Sequence, residues 1–194
     1  MRLLVAAVAD ELDAFPTEIA GFDRLVTGPG KLKAAVGLSE ALLRGGSDGL
    51  PYEQIVVVGT SGLVDDALAG DVHDVAVALQ HDVTDLEGVR GRHVTLPERV
   101  AISAAPAGSN VIVATGDSFV DDAEVAAFIR STGAALVDME TYAYGWVAAR
   151  NDVPIRVIRA VSDRAQDGAT KLWDEIVTVC SAWLWDRFRA EYVD

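Results

Sequence analysis

Two segments decide the fold of this chain: Val-Asp-Met-Glu-Thr at residues 137–141 and Val-Ile-Arg-Ala-Val-Ser-Asp at residues 157–163. Both belong to apolar runs with the length of a buried strand, and charged side chains stand at or just past the ends of these runs. In open α/β sheets, ligands bind at the C-terminal ends of the strands. Because an unpaired buried charge is costly, Glu140, Arg159 and Asp163 at these ends predict a site with a chemical role.

The rest of the chain alternates segments typical of strands and of helices. The predicted strands are Arg2–Val8, Phe22–Thr27, Gln54–Val58, Asp71–Leu79, Val111–Thr115, Ala134–Val137 and Ile155–Val161. The predicted helices are Lys31–Leu43, Asp121–Arg130, Thr141–Arg150 and Thr170–Tyr192. Residues 81–110 are the least periodic stretch and predict a variable loop with room for one short strand. This alternation predicts an α/β sandwich with helices on both faces of the sheet.

Composition limits the possible partners and the compartment. The chain has 194 residues, which predicts one domain over residues 1–194, and its formal net charge is −14. This charge argues against nucleic acid or an anionic membrane as a partner, because both require a basic face. A single cysteine, Cys180, leaves no internal disulfide framework and favours a reducing, cytoplasmic location.

Four charged residues form the candidate catalytic group. Glu11 follows the first predicted strand, where a carboxylate is commonly solvated. Glu140 begins a predicted helix, where an acidic residue can also stabilise the helix N-terminus. Asp163 follows Arg159 by four positions at a strand end, where its surroundings can hold a carboxylate protonated or ionised. As a set, these four residues predict an acid/base group that the sheet gathers.

Two glycine-containing segments have alternative interpretations. Gly28–Lys31 could present backbone N–H groups to an anion or polar ligand, but it lacks dinucleotide-site and P-loop spacing, so a plain helix-starting turn is favoured. Gly59–Gly62 follows a buried strand and is either a close approach for a ligand or a tight strand exit. The histidines, His73, His81 and His93, lack metal-ligand spacing, so no metal site is expected.

Seven short motifs resemble the nucleoside phosphorylase/nucleosidase superfamily, and most closely the 5′-methylthioadenosine/S-adenosylhomocysteine nucleosidases. They are Ala9–Leu12, Gly28–Lys31, Val58–Gly62, Ala69–Val72, Thr115–Val120, Val137–Glu140 and Ile158–Asp163. Their shared order and spacing along nearly the whole chain carry the resemblance. It implies a three-layer α/β/α sandwich with a mixed central sheet, no cofactor, and a homodimer as the default assembly.

The resemblance implies hydrolysis of the N-glycosidic bond of a purine nucleoside, with adenine as the expected base. Asp163, supported by Ser162, would protonate N7 of the purine, and Glu11 would activate the attacking water. Glu140 would bind the ribose hydroxyls, and Arg159 would fix the carboxylates.

The resemblance also implies binding roles for six more residues in the same pocket. Thr60 and Ser61 would line the water side of the sugar, with Gly62 beside them. Phe119 would stack on the base, the backbone of Val120 would read its edge, and Met139 would pack under the ribose.

Two alternatives remain beside hydrolysis. Phosphorolysis needs several cationic or N–H donors around the phosphate, whereas this chain offers Lys31 and places Glu11 where it would repel a dianion. A non-catalytic nucleoside-binding relative is the second alternative. The retention of all four charged residues together argues against it.

The chain departs from the family pattern at several positions. Only Gly62 stands where two glycines are usual, and Thr141 stands where a small residue is common. Residues 81–110 form a shorter segment than the family pattern has at this place. Trp173 stands where the family tends to place Phe over the pocket for the 5′ substituent, which predicts a preference for a small 5′ group.

Overall fold

The computed structural model describes the backbone of residues 1–165 and 169–193, and the side chains of residues 1–165 and 176–193. The strands of this part are β1 (Arg2–Ala6), β2 (Phe22–Val26), β3 (Gln54–Leu63), β4 (Val72–Gln80), β5 (Arg99–Ala101), β6 (Val111–Thr115), β7 (Leu136–Asp138) and β8 (Ile155–Asp163). Its helices are α1 (Lys31–Arg44), α2 (Ala123–Ser131), α3 (Thr141–Arg150) and α4 (Ala169–Tyr192), with a 3₁₀ turn at Ala9–Leu12.

The strands form one mixed sheet that bends until five of them close into a ring. β1 pairs in parallel with β2 and β3, and β3 pairs in parallel with β8. β8 is antiparallel to β4, β4 is parallel to β6, and β6 is parallel to β7. The ring closes where Gly62 of β3 pairs antiparallel with Val137 of β7. The end of β3 therefore meets β7 and β8 together.

Helices cover both faces of this sheet. Alternate side chains of a strand point to opposite faces, and Leu3 and Val5 of β1 accordingly join the core under α1 and α3, whereas Leu4 joins the core under α4. In β7, Leu136 faces the first of these cores and Val137 packs with α2 on the other side. The predicted three-layer α/β/α sandwich with a mixed central sheet is therefore confirmed.

β3 is longer than predicted. It continues to Leu63, past the predicted end at Val58. The interpretation of Gly59–Gly62 as a strand exit is therefore wrong. The physical reason is that β8 continues to pair with β3 as far as Asp163, across a register shift between Ser61 and Gly62.

The helices follow the predicted pattern, with a later start for α2. Asp122 is the N-cap of α2, and its Oδ1 accepts hydrogen bonds from the backbone N–H groups of Glu124 and Val125 at 2.9 and 2.8 Å. Within residues 81–110 the short strand β5 lies on β4, as the sequence allowed. Across residues 1–165 and 169–193, no helix has the length and apolar character that crossing a bilayer requires.

Candidate active site

A cavity of about 340 Å³ lies at the C-terminal ends of β1, β3, β7 and β8, a size typical of small-molecule sites. Ten of the twelve residues predicted for the site line it: Glu11, Thr60, Ser61, Gly62, Phe119, Val120, Met139, Glu140, Ser162 and Asp163. Of the other two, Arg159 is fully buried beside Glu140, and the side chain of Trp173 lies outside the described residues.

Glu11 lies in the 3₁₀ turn directly after β1, and its side chain is held from both sides. Its Oε2 accepts hydrogen bonds from the N–H groups of Ala7 and Val8 at 3.1 and 3.3 Å. Its Oε1 accepts from the backbone N–H and the hydroxyl of Thr60 at 2.7 and 3.0 Å. Ser181 of α4 donates to the Glu11 carbonyl at 2.9 Å and so fixes the turn itself. The carboxylate is therefore held in one orientation at the cavity wall.

Arg159 of β8 is fully buried, and Asp138 at the end of β7 is its partner. Its Nη2 donates to Asp138 Oδ2 and lies 3.7 Å from Oε2 of Glu140. Burial lowers the pKa of Arg159, but the carboxylates of Asp138, Glu140 and Glu11 raise it by more. The guanidinium therefore stays charged, with Asp138 as its hydrogen-bonded counterion.

Asp138 is the functional residue that the sequence analysis missed. It lines the cavity and accepts hydrogen bonds from Arg159 and from the hydroxyl of Thr115, the latter at 2.6 Å. The sequence does indicate a role for Asp138, because it follows an apolar run and a carboxylate at the end of a buried strand requires a cation or several donors.

Gly59 provides the space in which Arg159 and Glu11 approach each other. A Cβ atom at this position would lie 2.1 Å from Nη1 of Arg159 and 2.9 Å from Oε1 of Glu11. Both distances are below 3.0 Å, a separation that real Cβ atoms essentially never show. The absence of a side chain in the middle of β3 is therefore required by the two charged groups.

Glu140 precedes α3 but does not cap the helix through its side chain. Its Oε1 accepts a hydrogen bond from the backbone N–H of Gly30 at 2.9 Å, and the carboxyl group lines the cavity. The side chain of Glu140, although it is at the N-cap position, therefore makes no capping hydrogen bond. Burial, and next the charge of Asp138, raise the pKa of Glu140, although Arg159 and the Gly30 N–H act in the opposite direction.

The turn at residues 28–31 presents its N–H groups to carboxylates of the protein. In addition to the bond from Gly30, the backbone N–H of Lys31 donates to Asp117 Oδ1 at 2.7 Å. The Lys31 ammonium donates to Asp82 Oδ1 at 2.6 Å and to Gln80 Oε1 at 3.1 Å. This cation is thereby neutralised within the chain.

Asp163 ends β8 and lines the cavity. Its Oδ2 accepts a hydrogen bond from the hydroxyl of Ser162 at 2.7 Å, and its Oδ1 accepts from the N–H of Ala165 at 2.8 Å. Burial raises the pKa of Asp163, and this effect exceeds the lowering by the two hydrogen bonds. A raised pKa is the property that a proton donor near neutral pH requires.

The remaining lining is mostly apolar. Phe119 is 40% exposed, Val120 is buried, and Met139, Val8 and Pro29 also belong to this part of the wall. Apolar and aromatic walls with a few fixed polar groups suit a small flat ligand. Throughout the part of the chain that the structure describes, no group of three His, Cys, Asp or Glu side chains could hold a metal ion.

The sequence matches the family model described as the phosphorylase superfamily over residues 25–184. The chain belongs to this superfamily. The resemblance read from the seven motifs is thereby confirmed.

A curated relative, the 5′-methylthioadenosine/S-adenosylhomocysteine nucleosidase of Treponema pallidum, is 50% identical over 54 residues, which are 27% of this chain and 20% of that protein. The match thus spans about a fifth of the relative's length.

Solved structures share the superfamily fold over almost the whole chain. The MTA/SAH nucleosidase of Streptococcus pneumoniae, solved in complex with 8-aminoadenine, is 24% identical, with 97% of each chain covered and a TM-score of 0.78. A mutant futalosine hydrolase of Helicobacter pylori is 17% identical, with 97% of this chain and 96% of that chain covered and a TM-score of 0.81. At these identities the similarity shows the fold.

Proposed function

We propose that this member of the phosphorylase superfamily hydrolyses the N-glycosidic bond of a purine nucleoside, with adenine as the base and 5′-methylthioadenosine as the representative substrate. One observation carries the proposal: Glu11, held by four donors, and Asp163, with its raised pKa, line the same cavity. Hydrolysis of a glycosidic bond needs a proton acceptor for the water and a proton donor for the leaving group. The nucleosidases among the similar proteins support the same reaction.

Asp163 acts as the proton donor in this proposal. Its carboxyl group gives its proton to N7 of the purine as the bond between C1′ and N9 breaks, so the base leaves neutral. Burial favours the protonated form before the reaction, because desolvation disfavours the charged form. The hydrogen bond from Ser162 then stabilises the carboxylate that remains.

Glu11 acts as the proton acceptor. It takes one proton from a water molecule whose oxygen forms the new bond to C1′, and that proton replaces, through solvent, the one that Asp163 loses. Thr60 and Ser61 line the side from which the water attacks. The negative charge of Glu11 also stabilises the positive charge that develops at C1′ in an oxocarbenium-like transition state.

The substrate is held by residues that do not exchange protons with it. Glu140 accepts hydrogen bonds from the ribose hydroxyls, Met139 packs against the ribose, and Gly62 leaves room beside Asp163. Phe119 stacks on the base, and the backbone of Val120 reads its edge.

The charges of the cavity favour hydrolysis over phosphorolysis. Four carboxylic acids belong to the lining: Glu11, Asp138, Glu140 and Asp163. Among the described residues, the lining includes no lysine or arginine. Lys31 is neutralised by Asp82, and Arg159 is bound to Asp138. A phosphate dianion requires several unoccupied cationic or N–H donors. The burial of so many charged groups also argues against a non-catalytic relative.

We expect base release from 5′-methylthioadenosine to be equally fast with and without inorganic phosphate. Chromatography would follow adenine, and mass spectrometry would identify the sugar product, which should be free 5-methylthioribose. A phosphorylated sugar, or base release only with phosphate, would indicate phosphorolysis. Adenosine, inosine and futalosine in the same assay would define the substrate range. If none of the four releases its base, the proposed function is wrong.

We further propose that residues 1–194 form one nucleosidase domain that acts in the cytoplasm as a homodimer. The continuous sheet from β1 to β8 supports one domain, and a single buried thiol at Cys180 suits a reducing compartment. A row of exposed apolar side chains on α1, at Leu32, Val36 and Leu43, supports the dimer. Leu32, the first residue of this row, follows Lys31, whose backbone N–H bonds to Asp117. Asp117 lies two residues before Phe119, so the proposed interface would begin next to the cavity wall.

The dimer is expected to dissociate when Leu32 and Leu43 are both replaced by Glu, because the new charges would be buried in the interface. Light scattering after gel filtration measures the mass of the wild-type and variant proteins. The wild-type chain should have twice the mass of the variant. A wild-type monomer at assay concentrations would contradict the homodimer.

A further inference from the structure

Thr141, the first residue of α3, stands where the family pattern leads us to expect a small residue, and it is fully buried. Its hydroxyl makes three hydrogen bonds. The Oγ1 atom accepts from Nε and Nη2 of Arg159 at 3.2 and 2.7 Å, and it donates to Oδ2 of Asp138. A hydroxyl offers one donor and two acceptor lone pairs, so all of its capacity is used here.

Asp138 is equally well supplied with donors. Its Oδ1 accepts from the hydroxyl of Thr115 at 2.6 Å, and its Oδ2 accepts from Arg159 and from both the backbone N–H and the hydroxyl of Thr141. Because all these groups are buried, any rearrangement would leave a polar atom without a partner, which is unfavourable. Arg159, Thr141 and Asp138 are therefore locked in one arrangement.

This arrangement determines how close Arg159 comes to the carboxylates of the site. Its Nη2 is 3.7 Å from Oε2 of Glu140, which is longer than a hydrogen bond. The other oxygen of Glu140 accepts from Gly30. Oε2 is thus the oxygen that remains available for a ribose hydroxyl, provided that Arg159 does not turn toward it.

We propose that Thr141 is a positioning residue: its hydroxyl holds one edge of Arg159 against Asp138 and so keeps Oε2 of Glu140 available to the ribose of the substrate. The inference rests on the proposed function for the identity of the ligand. The geometry of Thr141, Arg159 and Glu140 does not depend on it. Arg159 still supplies positive charge to Glu140, but without a direct hydrogen bond.

Thr141→Val is the informative substitution, because it keeps the shape of the side chain and removes the hydroxyl. Nε of Arg159 then lacks its acceptor, and the guanidinium turns toward Glu140. We expect kcat/KM for 5′-methylthioadenosine to fall roughly 10–100-fold, since a displacement of about 1 Å at a site can cost about 10²-fold. The 2′,3′-dideoxy analogue has no hydroxyls for Glu140, so its kcat/KM should change little.

Two further variants separate the hydroxyl from packing. Thr141→Ser keeps the hydroxyl and should stay within about threefold of the wild-type protein. Thr132→Val removes a threonine hydroxyl that donates to the carbonyl of Ile129 at the end of α2, and it should behave as the wild-type protein does. If packing alone mattered at position 141, Val would retain activity and Ser would lose it.

A measurement without turnover makes the inference independent of the proposed reaction. The carboxyl carbon of Glu140 can be titrated by NMR in the wild-type protein and in Thr141→Val. The ionisable groups that face Glu140 are Asp138, Arg159, Glu11 and Tyr144. The pKa of Glu140 should be lower in the variant, because Arg159 comes closer to its carboxylate.

The outcomes are distinct. A lower Glu140 pKa in Thr141→Val supports the positioning role even if the wild-type protein releases no base, a result that would overturn only the proposed function. An unchanged or higher Glu140 pKa overturns the positioning role. In an active protein, so does an equal loss of kcat/KM for the nucleoside and its dideoxy analogue, or a Thr141→Ser variant as impaired as Thr141→Val.

Discussion

Asp163→Asn should lower kcat for base release by roughly 10²–10⁴-fold, the usual contribution of a general acid. The amide oxygen of Asn can still accept the hydrogen bond from Ala165, but the side chain has no acidic proton for N7 of the purine. The wild-type activity should fall as the pH rises through the raised pKa of Asp163, because the protonated form is the active one. In the variant this decrease on the alkaline side should be absent. Initial rates of adenine release over a range of pH measure both effects.

Asp66 provides a matched control variant, because its partner Arg164 directly follows Asp163 in the sequence. Asp66 is exposed and pairs with Arg164, so Asp66→Asn makes the same chemical change outside the cavity and should leave kcat unaltered. Circular dichroism and thermal unfolding would establish that both variants are folded. If a folded Asp163→Asn protein turns over at nearly the wild-type rate, another group protonates the base.

The second large effect is expected at Glu11. Glu11→Ala should lower kcat by roughly 10²–10⁴-fold, because no group remains at that wall to accept the proton of the attacking water. The N–H groups of Ala7, Val8 and Thr60, which bind the carboxylate in the wild-type protein, remain in place. Added formate can occupy these donors and should restore part of the activity in a concentration-dependent way.

The formate response separates chemistry from folding. Chloride at the same ionic strength is the control, since it is an anion without a basic oxygen. Glu11→Gln should be inactive and should not respond to formate, because its amide fills the position without accepting a proton. Full activity in either variant, or equal stimulation by chloride and formate, would contradict the role of Glu11 as proton acceptor.

The positions of the charged residues could be predicted from the sequence, because ligands bind at the C-terminal ends of strands in open α/β sheets. Glu11 and Glu140 follow the ends of β1 and β7, Asp163 is the last residue of β8, and these ends meet at one cavity. That meeting also depends on the antiparallel pairing of β3 with β7, which the alternation of strands and helices does not specify. The alternation predicted an α/β sandwich with helices on both faces, whereas the mixed central sheet was expected from the family resemblance.

Hydrogen-bond partners were not predictable in the same way. Asp138 stood in the decisive segment, but its role depends on Arg159 reaching it from another strand, and no local pattern encodes that pairing. Likewise, Gly59–Gly62 has the composition of a turn. It is strand because β8 pairs beside it, which is a tertiary effect that outweighs local preference.

Gly59 shows how a position without any functional group can be as intolerant of change as a reacting one. The space above its α-carbon holds atoms of both Arg159 and Glu11, and even a methyl group would enter it. In a survey of substitutions along the chain, Gly59→Ala should therefore give the same phenotype as loss of a charged side chain. A search for reactive atoms would pass over this residue, because its contribution is the absence of a side chain.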